Sequence, residues 1–153
     1  MDNKNNFIVI IPCCFLVPHL TPVLGYPGAH YEALEIKRLL LVSTDSTGLE
    51  LPLLKDEHTA ADLHVSITYR IRRPNDHYKA SNRLADVVKV DKLNARVTGG
   101  DLDNLVKYTL DCMNKVVYDD DKMITSLASK KIWCDDPTSD GSTTVEVKKI
   151  VIF

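Results

Sequence analysis

Asp101 and Asp103 stand two residues apart, and Asp119, Asp120 and Asp121 form an unbroken run further along the chain. Carboxylates clustered in space repel one another unless a cation neutralises them. Hard divalent ions such as Mg²⁺ and Mn²⁺ prefer oxygen ligands and keep several of their waters. Such an ion can stabilise charge on a phosphoryl group and lower the pKa of an attacking water. Lys107 follows Asp103 by four residues, one helical turn, where it can hold a carboxylate or meet a phosphate oxygen. The same residues also have plainer uses. An Asp at a helix start can be only a cap, and an acidic turn can be only solvated. Spacing alone leaves both readings open.

Other site chemistries find no support. Asp101 and Asp103 mimic the first and third positions of a calcium loop, but Val106 stands where its glycine belongs and Cys112 where its glutamate belongs. There is no phosphate-binding glycine loop, dinucleotide fingerprint, G-x-S-x-G or H-E-x-x-H. The five histidines are scattered. The four cysteines, Cys13, Cys14, Cys112 and Cys134, lack metal-ligand spacing and read as buried small side chains in a reducing, intracellular setting.

The acidic stretch has a basic neighbour. Between Arg70 and Arg96 lie eight basic residues (Arg70, Arg72, Arg73, Lys79, Arg83, Lys89, Lys92 and Arg96) against Asp76, Asp86 and Asp91, a net charge of +5. Such a run is either a solvated loop or a phosphate-binding surface. His77 and Tyr78 within it suit occasional base stacking.

These side chains need elements to place them. Residues 101–114 have helical period, with Leu102, Leu105, Val106, Thr109, Leu110 and Met113 on one stripe. Asp103, Asn104, Lys107, Asp111 and Asn114 lie on the opposite stripe. Ala61–Ile71 alternates apolar and polar residues as a half-buried strand does, and Pro74 ends it. Met123–Trp133 and Thr143–Phe153 read as two further strands, Gly99-Gly100 as a flexible break, and Tyr31–Val42 as a second helix. Phe7–Leu24 imitates a membrane segment, but Pro12, Pro18 and Pro22 interrupt it. The reading is a buried strand, Phe7–Ile11, in a chain without a membrane span. With 153 residues, 44% of them apolar and 26% charged, the chain has the size and composition of one soluble α+β domain, residues 1–153. The formal charge of −2 argues, at first sight, against a polyanionic partner.

Asp101-Leu-Asp-Asn-Leu-Val-Lys-Tyr-Thr-Leu-Asp111, followed by Tyr118 and Asp120-Asp121, resembles the signature of the RusA family of Holliday junction resolvases. That signature is D-x-D-N-x-x-K-x-x-x-D, a short spacer, then an aromatic and a D-D pair before a strand. The close match covers Gly99–Trp133, and a looser one extends from about Ala61 to Phe153. Two features depart from the family pattern. Pro12–Pro18 lacks the basic residues many members carry after the first strand, and Gly99-Gly100 replaces a proline or lysine.

The resemblance implies a small mixed β-sheet with one or two packed helices, working as a homodimer that cuts four-way DNA junctions symmetrically with Mg²⁺ or Mn²⁺. It implies Asp101, Asp103 and Asp121 as metal-binding carboxylates and Lys107 as the essential lysine. Asn104, Asp111 and Asp120 would support them. DNA would be held by Arg72, Arg73, Lys79, Arg83, Lys89, Lys92 and Arg96. The competing expectations are a catalytically silent junction-binding protein and a nuclease for flaps or forks.

Overall fold

The computed structural model describes the backbone of residues 6–12, together with residues 62–81 and 87–150. The expected helix at Tyr31–Val42, Cys13, Cys14 and Arg83 lie outside the described residues.

Alternation sets the sheet. In β2 (Asp62–Arg72) every odd residue from Leu63 to Ile71 is buried and every even one is half-buried or exposed, as a strand with one covered face requires. β4 (Gly141–Ile150) keeps the same pattern as far as Val147 and runs antiparallel to β2, placing Val145 opposite Ile67 and Val147 opposite Val65. β1 (Asn6–Pro12) pairs antiparallel with the far edge of β4. The proline-broken apolar stretch therefore begins as a sheet strand. β3 (Ile124–Cys134) lies on the other side of β2 and parallel to it, giving the order β1-β4-β2-β3. A four-stranded mixed sheet with one α-helix among the described residues is the expected α+β class.

The helix α1 (Leu102–Met113) lies between β2 and β3 in the chain. Leu105, Val106, Thr109, Cys112 and Met113 are its buried side chains, and the apolar ones join the odd residues of β2 from Leu63 to Ile71 and Val145 and Val147 of β4 in one core. Cys112 is fully buried, the place expected of a small apolar side chain. Each fully buried Leu, Ile, Val or Met contributes about 1.5–3 kcal/mol through removal from water.

Helix and sheet are also joined by a polar contact. The Tyr69 and Thr109 hydroxyls are 2.7 Å apart, and the Thr109 hydroxyl donates to the Leu105 carbonyl at 2.8 Å. Tyr69 therefore donates to Thr109, and the chain of bonds leaves neither hydroxyl unsatisfied in the core. After α1 the chain turns at Lys115, whose φ is 65°, and Tyr118 returns beneath the helix to donate to the Leu110 carbonyl at 2.7 Å. No helix among the described residues is long and apolar enough to cross a membrane.

Burial pushes the Tyr69 phenol up to about 12, against the smaller opposing effect of its Thr109 bond. Tyr118 is pushed up further, first by burial and then by the charges of Asp121 and Asp111. A raised folded pKa stabilises the fold fully below the unfolded value of about 10. That contribution is lost as pH rises through the folded value. Absorbance titration at 295 nm should therefore show the Tyr69 and Tyr118 phenols silent at pH 10–11, and urea midpoints should fall between pH 10 and 12. Tyr69→Phe should lower the number of silent phenols by one.

Candidate active site

The entry to α1 is built by two glycines with left-handed backbone, Gly99 (φ 97°) and Gly100 (φ 91°). The expected flexible break is instead a packed reversal. A Cβ on Gly99 would meet Ile71 Cγ2 at 3.1 Å, so a side chain is disfavoured by both conformation and space. The Lys131 ammonium, from the core-facing side of β3, donates to the Gly100 carbonyl at 2.6 Å. Asp101 follows at once. It is the N-cap by position, with extended backbone, and its carbonyl accepts from Leu105 N–H at 3.1 Å. Its carboxylate makes no capping bond, so the plainer use of an Asp at this place is not the one taken.

That carboxylate lines an open cavity of about 810 Å³. Asp103, Lys107 and Asp111 line it from the exposed stripe of α1, at the spacing that puts them on one helical face, and Leu102, Val106 and Leu110 line it from the apolar stripe. Asp121 lines it from the segment after the helix, and Leu127 and Ser129 from β3. Residues twenty apart in sequence thus open onto one space. Asp101, Asp103, Lys107, Asp111 and Asp121 are all exposed, and among the described residues no ion pair joins Lys107 to a carboxylate.

The three consecutive aspartates have three different surroundings. Asp119 accepts from Lys115 at 3.1 Å. Asp120 caps the short turn Asp121–Met123 by accepting from the Lys122 backbone N–H at 2.9 Å, with the Lys122 ammonium 3.9 Å away. That backbone bond holds the Asp120 carboxyl below its usual range, helped by the neighbouring Asp121 side chain and then by the charges of Lys122 and Lys115. Asp121 is left facing the cavity. Asn104 is exposed on α1 but does not line it.

The donors suit a hard cation, being oxygens without sulfur or imidazole. Among the described residues no three acidic, His or Cys side chains converge into a ready metal cage. Mutual repulsion keeps such carboxylates apart until a cation shields them. Mg²⁺ also needs only one or two protein carboxylates beside its waters. The set therefore fits a hydrated ion better than a fully protein-bound one.

The described parts of the basic segment are folded. Short turns at Asn75–His77, Lys79–Ser81 and Val90–Lys92 shape it, and Lys79 N–H to Val87 O and Lys89 N–H to His77 O pair its two halves. Arg73 is only 6% exposed and donates to the Lys92 and Leu93 carbonyls at 3.0 and 3.2 Å. Its guanidinium also sits 5.4 Å from the centre of the Trp133 ring. Arg73 thus supports the segment from below. Arg72 pairs with Asp140 at 2.9 Å. Lys79 and Arg96 are exposed, and Lys89 and Lys92 half-buried.

The expectation that His77 and Tyr78 offer rings for base stacking is not met, because both are buried. His77 packs edge-on against Trp133, its ring centre 5.1 Å away. Trp133 in turn donates from Nε1 to the Ala95 carbonyl at 2.8 Å. Trp133 and Lys131 thus fasten the two ends of Ala95–Gly100, the stretch that joins the basic segment to Asp101. The sequence reading missed Ser129 and the grip of Lys131. The alternation of β3 carries the signal, since Ser129, Lys131 and Trp133 lie on the same face of the sheet as their paired neighbours Ile67, Tyr69 and Ile71.

Residues 51–148, well over half of the chain, match the family described as Endodeoxyribonuclease RusA. The chain belongs to that family of DNA-cutting enzymes. No curated protein matches it closely enough to be counted a relative.

Two substitutions test the entry to α1. Gly99→Ala should lower stability by about 1–3 kcal/mol, the range for a residue forced into a sparsely populated backbone conformation, measured by urea unfolding. Lys131→Met keeps the aliphatic stem and removes the donor. Hydrogen exchange at the Leu105 amide should then quicken while the urea midpoint moves little.

Proposed function

We propose that this chain is a divalent-metal-dependent, structure-selective endonuclease that resolves four-way DNA junctions in recombination, repair or replication. It acts as a homodimer making paired, symmetric nicks. The observation that carries this reading is the single cavity onto which Asp101, Asp103, Lys107, Asp111 and Asp121 open, while Asp119 and Asp120 are tied to lysines outside it. Membership of an endodeoxyribonuclease family supplies the class of bond cut.

Asp101, Asp103 and Asp121 would hold Mg²⁺ or Mn²⁺. The bound ion would supply charge neutralisation at the phosphoryl group and a more acidic water. The protein's own residues do the rest. Lys107, uncommitted to any carboxylate, meets the charge that grows on the phosphoryl oxygens as the water oxygen bonds to phosphorus and the bond to the leaving oxygen breaks. Asp111 lies one helical turn beyond Lys107 and adds a carboxylate to the same cavity wall. Asp120, kept ionised by the Lys122 N–H, fixes the turn that presents Asp121. Lys79, Lys89, Lys92 and Arg96 hold flanking phosphates. A homodimer suits the substrate, because two-fold symmetry presents two such sites to a junction that is itself nearly two-fold.

The decisive experiment is cleavage of a synthetic four-way junction with and without Mg²⁺. Asp103→Asn and Asp121→Asn should each slow cutting on the order of 10²–10³-fold, the scale of removing one electrostatic partner from the reacting group. Their junction affinity in EDTA should stay close to wild type or rise, since each removes a charge that repels phosphate. Asp119→Asn should cut at nearly the wild-type rate. Equal rates for all three would sink the assignment, and tight binding without nicking in either metal would show a silent junction-binding protein. Faster cutting of flaps or forks at equal salt would reassign the substrate.

The basic residues divide by their surroundings. Lys79→Ala should weaken junction binding and flatten the log Kd against log salt plot by about 0.7–0.9 for each phosphate no longer neutralised. Arg73→Ala should act through the fold, lowering the urea midpoint by removing two backbone hydrogen bonds and the packing against Trp133.

A further inference from the structure

Within the basic segment the turn at Val90–Lys92 carries a feature that phosphate binding does not use. Val90 is 82% exposed and Leu93 50%, and Val87 is exposed as well. The Leu93 N–H donates to the Val90 carbonyl at 3.3 Å. In a turn of this kind side chains three apart eclipse each other, so Val90 and Leu93 share one side. The tip is therefore a small apolar projection rather than scattered single residues. It is also held from beneath: Arg73, itself buried, donates to the carbonyls of Lys92 and Leu93. Lys89, Lys92 and Arg96 flank the tip, and Asp91 is the one acidic residue of the turn.

An apolar projection, supported by a buried arginine and with cations beside it in the chain, fits a polyanion that can open to an apolar surface. Exposed apolar side chains of such loops enter between base pairs where stacking is already weak. At a branch point the stack is interrupted, so the energy needed to part the bases is smallest there. A second copy of this chain is a poorer occupant, because the same cations would face one another.

We propose that Val90 and Leu93 form a wedge that enters the base stack at the branch point of the DNA. The proposal rests on the nuclease reading above and adds to it the means of telling a branched site from plain duplex. Phosphate contacts hold either; the wedge is favoured only where bases part readily.

The test uses a four-way junction with 2-aminopurine at the branch, and a second with the probe deep in one arm, both in EDTA. Wild-type protein should raise the branch signal several-fold and leave the arm signal unchanged. The double variant Val90→Ser, Leu93→Ser should lose most of that rise at saturating protein, and its preference for junction over duplex should shrink. The salt slope should remain, since no cation is removed. Both positions are exposed, so the fold should persist, and Val90→Phe with Leu93 intact should preserve the rise. A wild-type protein that binds and cuts junctions without changing the branch signal would overturn the wedge and leave the nuclease standing. A double variant that turns from dimer to monomer in sedimentation would instead make the patch an interface between copies. A wild-type protein that neither binds nor cuts junctions would overturn the nuclease reading and the wedge with it.

Discussion

β2 and β3 run parallel and adjacent, and a parallel pair cannot be joined by a tight turn. The chain leaving Arg72 must travel back along the sheet before Ile124 can begin. That return carries the basic segment, the glycine reversal, α1 and the acidic run, in that order. Most of the charges assigned to the cavity and to DNA therefore lie in one excursion, fixed at both ends to the same pair of strands. The core stripe of α1 secures its middle, and Lys131 and Trp133 on β3 secure the stretch where the basic segment meets the helix. The neighbourhood of acidic cavity and basic surface is a product of strand direction.

That arrangement also reinterprets the net charge. A total of −2 says nothing of partners when a +5 stretch precedes a −4 stretch that runs from Asp101 to Asp121. The structure refines this further, because the acidic stretch is itself divided. Asp119 and Asp120 have lysine partners at exposed positions, where such pairs are worth little energy but still bias side-chain placement. The remaining carboxylates border the cavity with no lysine tied to them. Within the acidic stretch the charge left without a lysine partner borders the cavity, and an acidic patch of that kind favours a cation.

Much of this was legible from residue order. Odd-even alternation in β2 and the helical stripe of α1 are local properties, and the elements fall within a residue or two of their expected bounds. The shared face of Asp103, Lys107 and Asp111 followed from one helical repeat. The roles within the Asp119–Asp121 run did not, because they depend on which lysine each meets after Lys115 turns the chain at positive φ. The burial of Arg73, His77 and Tyr78 was equally hidden. Their residue types suit a DNA surface, and Arg73 and His77 pack inward against Trp133 of β3, more than fifty residues away. Gly99-Gly100 read as slack for a similar reason: the side chain of Ile71 that fills the space beside it comes from another strand.

Trp133 is the chain's one tryptophan, and it lies where β3, the guanidinium of Arg73, the ring of His77 and the carbonyl of Ala95 meet. Indole emission responds to nearby charge and to hydrogen bonding at its nitrogen. The molecule therefore contains its own optical probe at the junction of sheet and basic segment. Any rearrangement that parts Arg73 or Ala95 from the ring would be readable in unlabelled protein, against a background free of other indoles.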